Sequence, residues 1–274
     1  MAEVGTEMTR FSSYSLHRPE IHDSLIAGDV VLSRAMEASI VTFRAGERIP
    51  RADDGGGKIY RVCAGWLCHS RSLPDGRRQI IGLHLPNELV GLKTMVYADE
   101  PDALHALSPT ALGSLDHGAL WELTGRQPSV AARVIWQLAE DQRRLNNRVG
   151  ALGRCSAEQR LAGFLVDVRT RLRRIGLASR DSFSLPMTQQ AIADYLGLTV
   201  VHINRVIRRL READVAMVTR GKVVIANLSE LQRLALPALD PQTDVAGELR
   251  VPPVVSENGL VSGPLTTHGR DHRA

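Results

Sequence analysis

The stretch MTQQAIADYLGLTVVHINRVIRRL, residues 187–210, constrains the fold of this chain more than any other segment. Thr188 is a helix-capping residue type, and a helical run follows it from Gln189 to Leu196. Gly197 stands where a left-handed turn closes a helix, and Thr199 can cap a second helix beginning at Val200. In that second run Ile203, Val206, Ile207 and Leu210 recur at helical spacing and should face a core. Val201, Asn204, Arg205 and Arg208 fall on a different face, at offsets of three, four and seven. Two short helices joined by a tight glycine-containing turn make a helix-turn-helix unit.

The second face carries chemistry suited to a major groove, where Asn pairs with adenine, Arg with guanine, and a valine methyl packs on a thymine methyl. Downstream, Val215–Thr219 and Lys222–Ala226 have strand composition, and Arg220-Gly221 fits a two-residue hairpin. Such a hairpin is a wing that brings Arg220 and Lys222 to phosphates. Asn227 or Ser229 can cap a final helix. Charge agrees with this reading. Residues 156–236 carry a net +6 and the rest of the chain −2, within an overall +4. Basicity confined to one segment is the footprint of a polyanion-binding module attached to something else, and double-stranded DNA is the partner it implies.

Upstream the pattern changes. From about Val30 to Leu115, β-like runs (SIVTFRAGERI, KIYRVCAGWLCHSRSL, RRQIIGLHL, ALHALSPTALGSL) are punctuated by DDGGG, PDG and PNE. This predicts an antiparallel sandwich or barrel, with a hairpin turn at Asp75-Gly76. Over 118–154 the period lengthens: Ile135, Leu138, Gln142, Leu145, Val149 and Leu152 alternate spacings of three and four. That is a heptad-type seam with one polar interruption, Gln142. A helix packed on its own β domain needs a similar stripe. The charged neighbours Glu140, Asp141, Arg143, Arg144 and Arg148 read as a solvated surface, which favours a homodimer seam. Ser156 then caps a helix with the stripe Leu161, Phe164, Leu165, Val168 and Leu172, and SRDSFSLPMT breaks the helical pattern.

The predicted class is α+β, with an N-terminal antiparallel β-roll (jelly-roll), a long dimerisation helix and a C-terminal winged helix-turn-helix. The predicted bounds are 1–25 for a lead-in with a short helix, 26–118 for the β-roll and 119–154 for the long helix. The winged helix-turn-helix takes 155–236. A tail at 237–274, with five prolines from Pro237 onward and no sustained period, is expected to be disordered.

Several function classes are disfavoured. No apolar run reaches the length of a membrane span, and MAEVGTEMTRF has no charged n-region before an apolar h-region, so a soluble, cytoplasmic chain with no membrane partner is expected. Cys63, Cys68 and Cys155 cannot build a disulfide framework, and the spacing of Cys63 and Cys68 matches no CxxC metal knuckle. They read as free thiols, with redox sensing by Cys63 and Cys68 as the alternative. A cupin-like β-roll metalloenzyme needs HxH with a following Glu, whereas His84 is followed by Leu85-Pro86-Asn87-Glu88 with no second His at the needed spacing. No metal site and no enzyme activity are expected. A ligand-independent architectural DNA-binding dimer remains as a further reading.

The order β domain, long helix, winged helix-turn-helix resembles the Crp/Fnr family of bacterial transcription regulators. MTQQAIADYLGLTVVHINRVIRRLREADV is similar to that family's signature, including the LGLT turn and Arg205. GWLCHSRSLPDGRRQIIGLHLPNELVGL is similar to the β-roll of a large proteobacterial subgroup. The resemblance implies that Arg205 contacts guanine and Asn204 sits over the neighbouring base step. Thr188, Gln189, Thr199 and His202 become phosphate or backbone contacts, with Val200 and Val201 at the leading edge of the helix. It implies a homodimer on a palindromic operator, with RNA polymerase as a partner if the protein activates. The family usually has Glu where Val201 stands. Its cyclic-nucleotide members carry Gly-Glu and a later Arg-Ser/Thr; here Gly91-Leu92 and Leu104-His105 stand in those places. Its iron–sulfur members use an N-terminal cysteine cluster, whereas the first cysteine here is Cys63. Haem would need an axial ligand such as His69, His84, His105 or His117. The effector and any cofactor are left open.

Overall fold

In the computed structural model of this chain, residues 19–50, 57–97 and 102–239 are described. The tail expected to be disordered from 237 instead begins with a short helical turn, Leu236–Ala238, with Ala238 buried; its remainder beyond 239 and the lead-in before Pro19 lie outside the described residues. Period-two alternation over residues 41–116 builds two antiparallel sheets. One has strand order β1-β7-β2-β5, from β1 (Val41–Phe43), β2 (Lys58–Ala64), β5 (Leu89–Val90) and β7 (Thr110–Asp116). The other has order β4-β3-β6, from β3 (Leu67–Ser72), β4 (Arg78–His84) and β6 (Ala103–Ala106). Val62, Val90 and Leu112 of the first sheet meet Leu67, Leu104 and Ala106 of the second in one buried cluster, which closes the roll. The β3–β4 hairpin turns at the predicted Asp75-Gly76, with Gly76 at φ 81°.

The outer face of the four-stranded sheet is covered by helices. Ile59 and Leu89 pack under Leu32 and Met36 of α1 (Pro19–Glu37), Leu120 of α2 (His117–Arg126) and Val130 of α3 (Pro128–Arg154). Two expectations change here. The N-terminal helix is no short lead-in: it runs to Glu37, so residues 30–37 are helical rather than β-like. Its stripe of Leu25, Leu32 and Met36 is fully buried, and Gly28 lets it approach α3 so closely that a Cβ there would lie 2.1 Å from the Ser129 carbonyl oxygen. The long helix is also two helices, broken at Gln127 (φ −130°, ψ 94°). Pro128 forbids helical backbone at the residue before it and then serves as the first residue of α3.

Ser156 caps α4 (Ala157–Arg174) through a full capping box with Gln159. The predicted stripe from Leu161 to Leu172 is buried. A strand, β8 (Ser182–Leu185), occupies the segment read as a break, and it pairs with β10 (Gly221–Ile225), which pairs in turn with β9 (Ala216–Thr219). SFSL alternates as a strand should, with Phe183 and Leu185 buried and Ser184 exposed. Its four residues are too short to register against the flanking polar run. α5 (Gln189–Leu196), α6 (Val200–Glu212) and α7 (Leu228–Ala235) complete the C-terminal unit, with Asn227 capping α7.

Candidate nucleic-acid interface

Three caps fix the helix-turn-helix. The Thr188 hydroxyl accepts from the Ala191 backbone N–H at 3.1 Å, and the Thr199 hydroxyl accepts from that of His202 at 3.3 Å. Gly197 closes α5 in the left-handed region at φ 63°, a conformation costly for any residue with a Cβ. The capping hydroxyls satisfy N–H groups that would otherwise be orphaned at the helix starts. Ile203, Val206 and Leu210 of α6 are buried among Leu161, Leu165, Ile192 and Val223.

Burying that stripe leaves the opposite face of α6 to solvent. Val201 is 69% exposed, and His202, Asn204, Arg205, Arg208, Arg209 and Arg211 are exposed with it, while Val200 is half-buried. Arg208 sits 3.6 Å from Glu212 one turn on, a pair open to water that holds the side chain only weakly. The wing is a hairpin in which Thr219 pairs with Lys222, leaving Arg220-Gly221 as a two-residue turn with Gly221 at φ 85°. Arg220 and Lys222 are exposed at its tip, and Thr188 and Gln189 are exposed at the start of α5. The residues singled out for DNA contact are thus carried by α5, α6 and the wing of one module.

The seam residues lie together on α3. Ile135, Leu138, Leu145, Val149 and Leu152 are 66%, 47%, 47%, 61% and 45% exposed, and Gln142 is exposed between them. The charged neighbours contradict the expectation of a solvated surface. Of these, Glu140 is buried, Arg143 and Arg144 are nearly so and Arg148 is half-buried, while Asp141 keeps 38% of its side chain exposed; Arg133 and Gln137, earlier on the same face, are buried too. Arg133 donates to Asp29 of α1 at 3.0 Å, and Arg61 of β2 takes the other oxygen of that carboxylate at 2.7 Å. Glu88 accepts from Arg144 of α3 at 3.2 Å and from Arg171 of α4 at 2.9 Å. Arg171 also reaches the Leu83 carbonyl at 2.8 Å. Guanidinium groups at Arg171, Arg143 and Arg144 hold the Asp167 carboxyl below its usual range against the opposing effect of burial.

The β-roll carries apolar side chains where a phosphate cradle would need charge. Leu92 is buried in the layer under the helices and Leu104 in the roll's interior, and His105 bridges to Arg48 through backbone pairing. Cys63 is half-buried and Cys68 buried. Burial pushes the Cys68 thiol up to about 11, only partly opposed by Arg78. The thiolate is the reactive form, so this environment works against oxidation there. Three of the four histidines are engaged: His69 Nδ1 lies 2.8 Å from His84 Nε2, and His117 Nε2 lies 2.9 Å from the Thr94 hydroxyl. Among the described residues no three His, Cys, Asp or Glu side chains cluster as metal ligands. None of the described helices is long and apolar enough to cross a membrane.

Comparison with known proteins fits this geometry. Residues 159–234 match the family model of the Crp-like helix-turn-helix domain, and residues 40–127 match that of the cyclic nucleotide-binding domain. The transcriptional activator protein Anr of Pseudomonas protegens is 31% identical over 193 residues, 70% of this chain and 79% of its own length. The nitrogen fixation regulation protein FixK of Bradyrhizobium diazoefficiens is 30% identical over 196 residues, 71% of this chain and 81% of its own. The chain belongs to the Crp/Fnr family of transcription regulators. The structure of FixK2 from Bradyrhizobium japonicum superposes with a TM-score of 0.63 at 28% identity, over 72% of this chain and 96% of that one. As a Crp/Fnr member the protein is a DNA-binding transcription regulator and not an enzyme.

Sequence reasoning missed the polar contacts that join this regulator's β-roll to its DNA-reading module. Arg78 and Asp194 are 116 residues apart, and Glu88 and Arg171 are 83 apart. No local period marks such pairs. The available signal was Asp194, the single charged residue of α5.

Proposed function

We propose that the protein binds a palindromic operator as a homodimer, with α6 of each protomer in a major groove. One observation carries this reading: α3 shows an apolar heptad stripe to solvent while α6 shows Val201, Asn204 and Arg205 on one open face. Pairing α3 with its copy removes the stripe from water and sets two recognition helices on a two-fold axis, about one DNA turn apart. Arg205 reads guanine, Asn204 covers the neighbouring step, and Val201 packs on a thymine methyl. Thr188, Gln189, Val200, Thr199, His202, Arg208, Arg220 and Lys222 make the surrounding backbone and phosphate contacts that fix register.

In this division of labour residues 26–118 form the effector-type roll, 119–154 the dimerisation segment and 155–236 the reader. The protein works where the chromosome lies, in the cytoplasm. The activator Anr among its relatives supports contact with RNA polymerase. Buried Leu92 and Leu104 support a roll that does not grip a cyclic-nucleotide phosphate.

The test is selection of bound duplexes from random oligonucleotides with purified protein. The expected outcome is a two-fold symmetric motif, lost on Arg205→Ala and altered at one position per half-site by Val201→Glu. An unchanged motif after Val201→Glu removes Val201 from the reading face. Binding without sequence preference overturns the regulator mechanism as drawn, and salt dependence alone does not rescue it, because that reports only phosphate contacts.

A further inference from the structure

The contact between β4 and α5 has no role in reading bases, yet it is built from specific polar groups. Arg78 of β4 donates twice to one carboxylate oxygen of Asp194, from Nε at 3.0 Å and Nη2 at 2.9 Å. Gln190 donates to the other oxygen at 2.6 Å, one turn earlier on α5. Gln79 donates to the Asp194 backbone carbonyl. The Asp194 side chain is only 10% exposed although Arg78 is 44% exposed, so the acid is held inside the joint and its partner closes over it. Around these bonds the joint is apolar: Trp66, Cys68, Ile80 and Leu83 of the roll share one buried cluster with Ile192 and Ala193 of α5. Arg148 of α3 adds a third element, donating to the Ile80 carbonyl at 3.3 Å and lying over the Tyr195 ring at 4.9 Å.

We infer that Arg78, Gln79 and Asp194 are positioning residues that lock the DNA-reading module at a fixed angle to the dimerisation helix and so set the half-site spacing the dimer accepts. The inference rests on the operator reading above. Only Cys155 and Ser156 lie between α3 and α4, so the orientation depends on side-chain contacts: Glu88 with Arg144 and Arg171 ties α4 to α3, and the β4–α5 contact ties the helix-turn-helix itself. The lock grips α5 while the reading face of α6 stays open, so holding it does not cover the residues that read bases. A dimer whose readers are preset loses less orientational freedom on binding than one whose readers swing. It also rejects sites whose halves are displaced, because each base pair added between half-sites moves and rotates one half relative to the other. Freeing the readers therefore lowers affinity for the correctly spaced site and narrows the gap between it and misspaced ones.

The experiment measures binding of full-length protein to the selected palindrome and to versions with one base pair added or removed at its centre. The readout is the ratio of affinities between spacings, which a uniform change in protein charge does not move. Wild type should discriminate strongly. Arg78→Glu should lose about tenfold in affinity for the original spacing, the equivalent of one interdomain ion pair with a buried acid, and most of its discrimination. Arg78→Glu combined with Asp194→Arg should restore the ratio, which a merely structural defect would not do. If the double variant does not fold, Gln79→Ala, on the same strand, should also reduce the ratio. Unchanged discrimination in folded Arg78→Glu overturns the lock, as does unchanged discrimination in Gln79→Ala. A wild-type protein that selects no palindrome overturns the operator reading instead, so the two failures are distinct.

Discussion

α3 and α4 follow each other with only two residues between them, and they are built in opposite ways. α4 is an ordinary amphipathic helix: Leu161, Leu165 and Val168 are fully buried in the core of the reading module. Beyond its first turn, where Val130 packs under α1, α3 is turned inside out. Its inward face holds Arg133, Gln137, Glu140 and Arg144, and its outward face holds Ile135, Leu138, Leu145, Val149 and Leu152. Burying charge is costly unless every group is paired, and here the pairing comes from Asp29, Glu88, Asp141 and the Asn87 carbonyl. An apolar stripe on the solvent side of a helix that already has a polar way to dock on its own domain is free for another molecule. Apolar periodicity alone therefore does not say which face of a helix meets its own core.

The largest effect that tests this contrast is at the acid serving both helices. Glu88→Ala leaves Arg144 and Arg171 facing each other without their shared carboxylate, and a loss of about 3–5 kcal/mol is expected. Chemical denaturation measures it, and a loss below about 1 kcal/mol would mean that the network does not hold α3 inward. Next, Leu161→Ala in α4 should cost about 2–5 kcal/mol of fold stability, with the unfolding midpoint falling. Leu145→Ala in α3 should leave monomer stability within about 0.5 kcal/mol but weaken self-association about tenfold or more. Sedimentation at several concentrations separates the two quantities, and a stability loss at Leu145 equal to that at Leu161 would erase the distinction.

A smaller effect concerns the histidine behind Glu88. His84 is held neutral, its pKa well below the usual imidazole value, because burial penalises the charged ring and His69, Arg144 and Arg171 add like charge. Among the described residues its Nδ1 has no hydrogen-bond partner, and Glu88 stands 3.9 Å away, too far for one. The unfolded chain takes up this proton as pH falls through about 6.5, while the folded chain does not. This contribution to stability is therefore complete above that pH and declines below it, until the folded-state value is reached. Between pH 7.5 and 5.5 His84 should account for at most about 1.4 kcal/mol of lost stability. Thermal unfolding of wild type and His84→Gln across that range reads it as a shallower slope in the variant. The smallest effect is at Gln142. Gln142→Leu should tighten association by about 1 kcal/mol and loosen its register, as removal of a polar seam residue does in coiled coils.

Much of the reading module was legible because its signals are local. Thr188, Gly197 and Thr199 announce the helix ends through capping chemistry, and the Ile203–Leu210 stripe announces which side of α6 is buried. The wing followed from Arg220-Gly221 between two β-branched runs. What escaped depends on distant partners or on short elements. Phe183 and Leu185 form a strand only because β10 comes to pair with it. Val30 and Val31 look like strand residues in isolation, and they are helical because α1 docks on α3. The charged residues of α3 read as solvated because a sequence does not show that Glu88, some 56 positions from Arg144, folds back onto them.

The inverted build of α3 has a consequence for how much protein is needed. Its inward face is satisfied without a second chain, so one protomer does not need the seam to pair its own buried polar groups. If α3 pairs with its copy as proposed, folded single chains and pairs stand in a balance set by mass action. Below the midpoint of that balance, the supply of paired reader grows with the square of total protein. Doubling the cell's stock of this regulator would quadruple what reaches its sites, a steepness obtained with no small-molecule signal.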